Sequence, residues 1–269
     1  MKKKVLAVIM AAGLSLTLAA CTSQQPAAPA EPTEAAPADP TEAPAEPTEA
    51  AEEPTPTEPA TETPEEPDAV MTYAEYAAAE VDDPVVIEAY VQATQSWWDG
   101  KITVYAQDKD GAYFIYNMTC ISQEEADKLT EGTKIRVNGF KAEWSGEIEI
   151  ADGAYEIVNG DTYVAEAKDV TDKLGTDELI DYQNQKVLFT DMTVESVAYK
   201  NDEPGDDIYV KLSKDGAEYD FCLEYYLNGS DEEFYNKVGA LKAGDVVDVE
   251  GFLYWYEGVN PHITAATVK

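Results

Sequence analysis

The chain has 269 residues, with 54 acidic against 18 basic side chains, one histidine and three cysteines. Its net charge of −36 argues against a nucleic-acid-binding protein, because a polyanion is held by lysines and arginines that release its counterions. One histidine and three separated cysteines also exclude most zinc sites and leave little material for a serine–histidine–aspartate triad.

Residues 1–21 have the organisation of a bacterial export signal. Three lysines precede an apolar run at 5–18 that is too short to span a bilayer. The run ends in the tetrapeptide LAAC, which resembles the lipobox of bacterial lipoproteins. The resemblance implies cleavage before Cys21 and lipidation of that residue, with the protein held at the extracytoplasmic face of the cell membrane. An ordinary secretory signal with a chance cysteine is the alternative.

Residues 22–70 are built almost entirely from Pro, Ala, Glu and Thr. This segment holds 12 of the 15 prolines and 13 acidic residues, with no basic residue and no large aliphatic residue before Val70. Such a segment has nothing to bury and is expected to be disordered, while proline and like charges extend it. The sequence therefore predicts a stalk, or a linker without any required length.

An internal repeat divides the remainder of the chain. Residues 2–4 contribute +3 and residues 22–70 contribute −13, so residues 71–269 carry −26. Residues 129–140 align without a gap with residues 241–252, at a spacing of 112, and share the pattern LxxGxxxxVxGF. The repeat predicts two domains of similar design.

The predicted elements follow the same order in both copies, judged from alternating apolar residues, turn signals and helix caps. The first copy begins with a short helix at 72–77, followed by strands at 84–95, 102–107 and 112–118, a helix at 122–130, and strands at 133–144 and 147–158. The second copy gives strands at 186–198, 207–212 and 217–225, a helix at 231–241, and strands at 245–255 and 262–268.

This order resembles the OB-fold, a five-stranded Greek-key barrel. The resemblance implies a mainly β chain with two tandem five-stranded OB-fold-like barrels, at 71–170 and 171–269, after a disordered N-terminal stalk. Each barrel has a helix between strands 3 and 4, and the whole looks like the extracytoplasmic OB-fold lipoproteins of Gram-positive-type bacteria. Two small β-sandwich domains are the alternative topology.

The OB-fold resemblance also implies a ligand-binding face, formed by strands 2 and 3 and by the loops joining strands 1–2 and 4–5. All four tryptophans fall at or beside these loops. The predicted ligand-binding residues are Trp97, Trp98, Tyr113, Asn117, Trp144, Glu147, Trp255 and Tyr256. Aromatic rings beside amide and carboxylate groups indicate stacking on a sugar ring or a grip on an apolar peptide side chain. Alternatively, the tryptophans plug the barrel ends or pack the domains together.

One loop of the second copy concentrates carboxylates and is a candidate for weak Ca²⁺ binding. Its acidic residues are Asp202, Glu203, Asp206 and Asp207. A solvated acidic loop is the alternative, and no other cofactor is expected. The single histidine, His262, is expected to be a surface or packing residue.

Together these features predict a membrane-anchored binding module that recognises a glycan, a peptide or an envelope protein, with nucleic acid an unlikely partner. A carboxylate-dependent glycan hydrolase is one alternative, although the sequence shows no catalytic motif for it. A structural spacer without a ligand is the other. Whether the protein is an enzyme stays open, with the balance against it.

Overall fold

The computed structural model describes residues 69–269, and these residues belong to one compact unit. The predicted signal peptide with Cys21, and nearly all of the predicted stalk, lie outside the described residues. Among the helices that are described, none is long and apolar enough to cross a membrane.

The first half of the described chain forms a closed five-stranded barrel. Its elements are α1 (Tyr73–Ala78), β1 (Pro84–Thr94), β2 (Lys101–Gln107), β3 (Ala112–Thr119), α2 (Gln123–Ala126), β4 (Lys134–Trp144) and β5 (Glu147–Ile157). The strand order is β1-β2-β3-β5-β4, with β4 pairing back onto β1 and β3 parallel to β5. The prediction of a mainly β, OB-like barrel with a helix between its third and fourth strands is confirmed here.

Local sequence explains how these elements begin and turn. The Thr72 hydroxyl accepts the Glu75 N–H while the Glu75 carboxylate accepts the Thr72 N–H, which closes a capping box at the start of α1. In the β2–β3 turn, Asp108 Oδ1 accepts the N–H groups of Asp110 at 2.7 Å and Gly111 at 2.8 Å. This side-chain bonding holds the hairpin that the Asp-Gly pair predicts.

The second half forms a six-stranded sheet in the order β10-β11-β9-β8-β7-β6, in which β10 also pairs with β7. Its elements are β6 (Lys168–Asp169), β7 (Lys186–Tyr199), β8 (Ile208–Lys214), β9 (Ala217–Leu223), α3 (Tyr225–Asn228), α4 (Glu232–Gly239), β10 (Val246–Phe252) and β11 (His262–Val268). Two helices therefore stand where the sequence predicts one. The predicted strand 217–225 ends earlier because its last residues begin α3.

The glycine that ends the LxxGxxxxVxGF repeat has the same role in both halves. Gly139 in β4 and Gly251 in β10 each lie at a register shift against the following strand. A Cβ on Gly139 would come 2.7 Å from the carbonyl oxygen of Ala151, and a Cβ on Gly251 would collide with the carbonyl of His262. Both copies need a residue without a side chain so that two strands can approach closely.

Aromatic side chains join the two halves. Tyr105 of β2 stacks on Phe252 of β10, with ring centroids 4.4 Å apart and an interplanar angle of 19°. The Tyr105 hydroxyl also lies 2.6 Å from His262 Nδ1. Phe114 of β3 contacts Tyr254 edge to face at 5.2 Å. Burial lowers the pKa of His262 to about 3, so its ring is neutral at physiological pH and serves as a packing and hydrogen-bonding group.

Equivalent loops of the two copies also touch each other. Trp144 and Tyr256, which correspond at the repeat spacing of 112, have ring centroids 5.1 Å apart. The next corresponding pair forms a backbone hydrogen bond, in which the Glu257 N–H donates to the Ser145 carbonyl at 2.7 Å. The joint is therefore built from repeated positions.

We expect Phe252→Ala to lower the free energy of unfolding by about 3–5 kcal/mol, because it empties a buried ring site between the halves. Phe140→Ala is the matched control, since Phe140 occupies the same repeat position but is 39% exposed. Its expected cost is about 1 kcal/mol or less. Urea unfolding followed by tryptophan fluorescence measures both, and equal losses would show that the Phe252 contact does not hold the halves together.

Candidate ligand-binding face

The ligand-binding face expected of an OB barrel is only partly open in this protein. Tyr105 and Phe114 lie on the outer side of β2 and β3, where an OB-fold ligand would sit. Both rings are covered by Phe252 and Tyr254 from the second half. The tryptophans therefore share this region with an interdomain joint, which limits ligand access to its edges.

A bulge near the end of β3 decides which side chains reach the surface. Asn117 has a φ of +45°, and its N–H donates to the Thr103 hydroxyl at 3.2 Å, beside a register shift between β2 and β3. Tyr116 lies before the bulge and, like Phe114, is on the outer side of β3, where it is exposed. The bulge turns Met118, which regular alternation would place on that outer side, into the core. Tyr113, which the sequence predicts as a ligand-binding residue, is instead a core residue packed edge to face against tyrosines of helix α1. The β3 tyrosine on the open surface is Tyr116.

The open part of the face contains a groove of about 610 Å³. Its two most exposed aromatic side chains are Trp98, which is 80% exposed, and Tyr226, which is 60% exposed. The backbone of Ser96 donates to the Tyr226 carbonyl at 2.8 Å, which ties the β1–β2 loop to helix α3. We call this region the open groove, lined by Gln95, Trp98, Lys101, Tyr116, Asn117 and Tyr226.

Two of the predicted tryptophans have structural roles. The Trp97 indole packs against the hydrophobic core of the closed barrel, and its Nε1–H donates to the Cys120 carbonyl at 2.8 Å. Trp255 lies so close to the β4–β5 loop that a Cβ on Gly146 would come 2.9 Å from its ring. These two positions match the alternative in which tryptophans pack the protein rather than bind a ligand.

The other two tryptophans remain available. Trp98 follows Trp97 directly but stands on the open groove. Trp144 is 53% exposed and is held against Tyr256. Of the predicted polar residues, Asn117 lines the open groove, whereas Glu147 lies inside the joint. The predicted residues thus divide between an accessible set and a buried set.

Glu147 is a buried carboxyl group at the joint. Its Oε2 accepts the Trp255 N–H at 2.9 Å and the Gln183 amide at 3.2 Å. Within the described chain, its Oε1 and the Asn184 Oδ1 have no hydrogen-bond partner. Burial raises the pKa of Glu147 to about 8, so the group is mostly protonated at neutral pH. A proton on Oε1 supplies a donor where both orphaned atoms are acceptors.

The predicted calcium loop is held by a lysine. Lys200 Nζ lies 3.1 Å from Asp206 and 3.0 Å from Asp207, and Asp207 also accepts the Tyr225 N–H. Asp202 and Glu203 complete the predicted set but make no cluster with this pair. Across residues 69–269, no group of three or more His, Cys, Asp or Glu side chains is arranged to hold a metal ion.

Several accessible residues were beyond sequence reasoning. Tyr116 shares the outer side of β3 with Phe114, and alternation along the strand does not tell which side is the outer one. Tyr226 and Tyr254 belong to the second copy and reach the first barrel through the joint. Glu149 lies two residues after Glu147 on β5, so alternation places both on the same face, but nothing in the sequence indicates that Glu149 is buried.

Comparison with known proteins finds no matching family model and no matching curated protein. Similar solved structures include a murine DNA binding protein bound with double-stranded DNA, at 11% identity and a TM-score of 0.34, covering 70% of this chain and 94% of that one. The HINa domain of Ifi202 in complex with double-stranded DNA has 12% identity and a TM-score of 0.32, covering 70% and 96%. A replication protein A heterotrimer bound to single-stranded DNA has 13% identity and a TM-score of 0.30, covering 72% and 51%.

Because these structures are complexes with DNA, they correct two predictions. The DNA in these structures contradicts the prediction of a glycan, peptide or envelope-protein ligand. It also contradicts the prediction that nucleic acid is an unlikely partner. The hydrolase and spacer alternatives are likewise not carried forward. Net charge averages over the whole chain, whereas the open groove itself contains one cation, Lys101, and one anion, Asp99.

We expect Glu147→Gln to raise stability at alkaline pH. The folded-state pKa of Glu147 lies above its ordinary value of 4.5, so the folded chain holds a proton that the unfolded chain releases. Stability from this group is therefore complete below about pH 4.5 and is lost as the pH rises towards 8. The glutamine variant should gain about 3–4 kcal/mol, or about 10 °C in Tm, over the wild type between pH 5 and pH 8.

Glu143→Gln, at an exposed position on the neighbouring strand, is the matched control. Glu224 also has a pKa raised by burial, to about 7, so the comparison uses the difference between each variant and the wild type. Parallel Tm curves for wild type and Glu147→Gln would show that Glu147 is ionised in the folded protein.

Proposed function

We propose that the open groove binds single-stranded nucleic acid by stacking unpaired bases on Trp98 and Tyr226. The observation that carries this proposal is the placement of two largely exposed aromatic rings on one groove at the strand 2–3 face of an OB-like barrel. Base–aromatic stacking contributes about 1–3 kcal/mol per base and tolerates any sequence, because every base has a flat face.

Polar groups around the rings suit base edges better than a phosphate backbone. Gln95 and Asn117 bring amide groups to the groove, each with donors and an acceptor. Lys101 is the one lysine or arginine among the lining residues, and its Nζ lies 3.1 Å from the Thr119 hydroxyl. The proposed mode is therefore stacking with few phosphate contacts, on a protein whose acidic surface repels phosphates at a distance.

We expect Trp98→Ala to weaken binding of a short oligothymidylate by about 5- to 100-fold, which corresponds to the loss of one stacked base. Tyr209→Ala is the matched control, because Tyr209 is an exposed aromatic side chain on β8 away from the groove. Fluorescence anisotropy of a labelled oligonucleotide measures both variants. Equal affinities for the two variants would remove Trp98 from the site.

The salt dependence gives the same experiment a second readout. A protein that neutralises six or more phosphates loses about 10³-fold or more in affinity between 50 and 200 mM salt. Stacking on an acidic protein predicts a flat or rising affinity instead, because salt screens the repulsion between the surface and the phosphates. A steep loss of affinity with salt would contradict the stacking mode.

We also propose that the second half is an OB-type barrel, which would give tandem barrels at 71–170 and 171–269. Support comes from the pairing of β10 with β7, the parallel contact of β9 with β11, and the helices between β9 and β10. These features have counterparts in the β4–β1 pairing, the parallel β3–β5 pairing and the helix of the first barrel.

For the N-terminal segment, we propose lipidation of Cys21 after cleavage of the signal peptide, with residues 22–70 as the stalk. The support is the lipobox-like tetrapeptide directly after the apolar run. In a bacterial host, Cys21→Ser should abolish incorporation of an alkynyl palmitate and release the protein from the membrane fraction. Undiminished labelling of Cys21→Ser would exclude this residue as the lipid site.

A further inference from the structure

A second cavity, of about 340 Å³, lies beyond Tyr116 from the open groove. We call it the acidic cage, and its lining residues are Tyr116, Trp144, Glu149 and Tyr254. Three of its four walls are aromatic, and the fourth is a carboxylate. The rings come from β3, from the end of β4 and from the segment after β10, so both halves of the described chain build it.

The aromatic walls are fixed by their neighbours. Tyr254 stacks on His262 at 4.2 Å with an interplanar angle of 25°. Tyr254 also meets Phe114 edge to face, and Tyr116 stacks on the same Phe114 at 6.4 Å and 26°. Trp144 leans on its repeat counterpart from the second copy at 5.1 Å. A ligand entering the cage would therefore meet rings that are already positioned.

Glu149 is a largely buried acidic residue in the wall of the cage. Its side chain is buried, with 8% exposure, yet no donor or cation from residues 69–269 forms a hydrogen bond or ion pair with it. Its carboxylate oxygens are not among the fully buried atoms without a partner, so they open into the cage, and partial desolvation there raises the pKa of Glu149. Glu147, two residues earlier on β5, is mostly protonated at neutral pH and adds little competing charge.

We propose that the acidic cage binds an organic cation with a quaternary ammonium head, using the three ring faces and the Glu149 carboxylate. Aromatic faces attract such a cation through their quadrupoles. A quaternary head needs no hydrogen-bond acceptors, and the cage offers just one carboxylate among its rings. A divalent metal ion would need several oxygen ligands instead. The net charge of −36 also raises the local concentration of cations.

The test compares choline with 3,3-dimethylbutan-1-ol, its neutral isostere, on the full chain by calorimetry and tryptophan fluorescence. We expect choline to bind at least about ten-fold more tightly, since the two differ in charge rather than in shape. Equal binding of the two compounds, or no binding of choline, would overturn the proposal.

Variants separate the carboxylate from the rings. Glu149→Gln should weaken choline binding about ten-fold or more, whereas Glu143→Gln, an exposed acid on the preceding strand, should leave it unchanged. An unchanged affinity in Glu149→Gln would overturn the role of the counter-ion. If Glu149→Gln loses the near-ultraviolet dichroism of the folded protein, Trp144→Leu decides, and full choline affinity in that variant refutes the cage.

The cage and the open groove are also distinguishable in one set of proteins. Trp98 does not line the cage, so Trp98→Ala should bind choline as the wild type does, whether or not it binds the oligonucleotide. Loss of choline binding in Trp98→Ala would place the cation in the open groove and would contradict the assignment to Glu149.

Discussion

The stack of Tyr105 on Phe252 is the contact on which the accessible surface of this protein depends. It joins β2 of the closed barrel to β10 of the second sheet and covers the middle of the face that an OB barrel offers to ligands. The open groove and the acidic cage lie in the part of the face that stays open, and Tyr116 lines both. Both candidate sites are consequences of how the halves pack.

The sequence predicts the elements of the fold well, because their signals are local. Alternation along β1, the Asp-Gly hairpin and the caps of the helices depend on neighbours a few residues away. The bulge at Asn117 escapes the sequence because a hydroxyl from another strand, that of Thr103, stabilises it. That irregularity brings Met118 into the core beside Tyr113 and Ile115, while Tyr116 stays on the outer side with Phe114. The strand is therefore predicted correctly, but its outer face is not.

The candidate site was harder to predict than the fold because adjacent residues have opposite environments. Trp97 and Trp98 are neighbours at the same loop, but the Trp97 N–H reaches the Cys120 carbonyl and its ring joins the core. Within the described chain, the Trp98 indole makes no such hydrogen bond, and the residue is 80% exposed. Tyr226 contributes from the other copy, and its placement depends on docking of the halves, which no local pattern encodes.

Both copies have phenylalanine at the end of the LxxGxxxxVxGF repeat, and packing gives the two side chains different roles. Phe140 remains at the surface, while Phe252 is buried against Tyr105. Phe252 of the second copy covers the outer face of the first barrel, whereas Phe140 at the same repeat position remains partly exposed. The asymmetry extends to charge: Glu147 lies within the joint and is mostly protonated, whereas Glu149 opens into a cavity and has no side-chain partner among residues 69–269. Of two carboxyl groups on one face of β5, Glu147 thus forms hydrogen bonds within the joint, whereas Glu149 lines a cavity that a cation can enter.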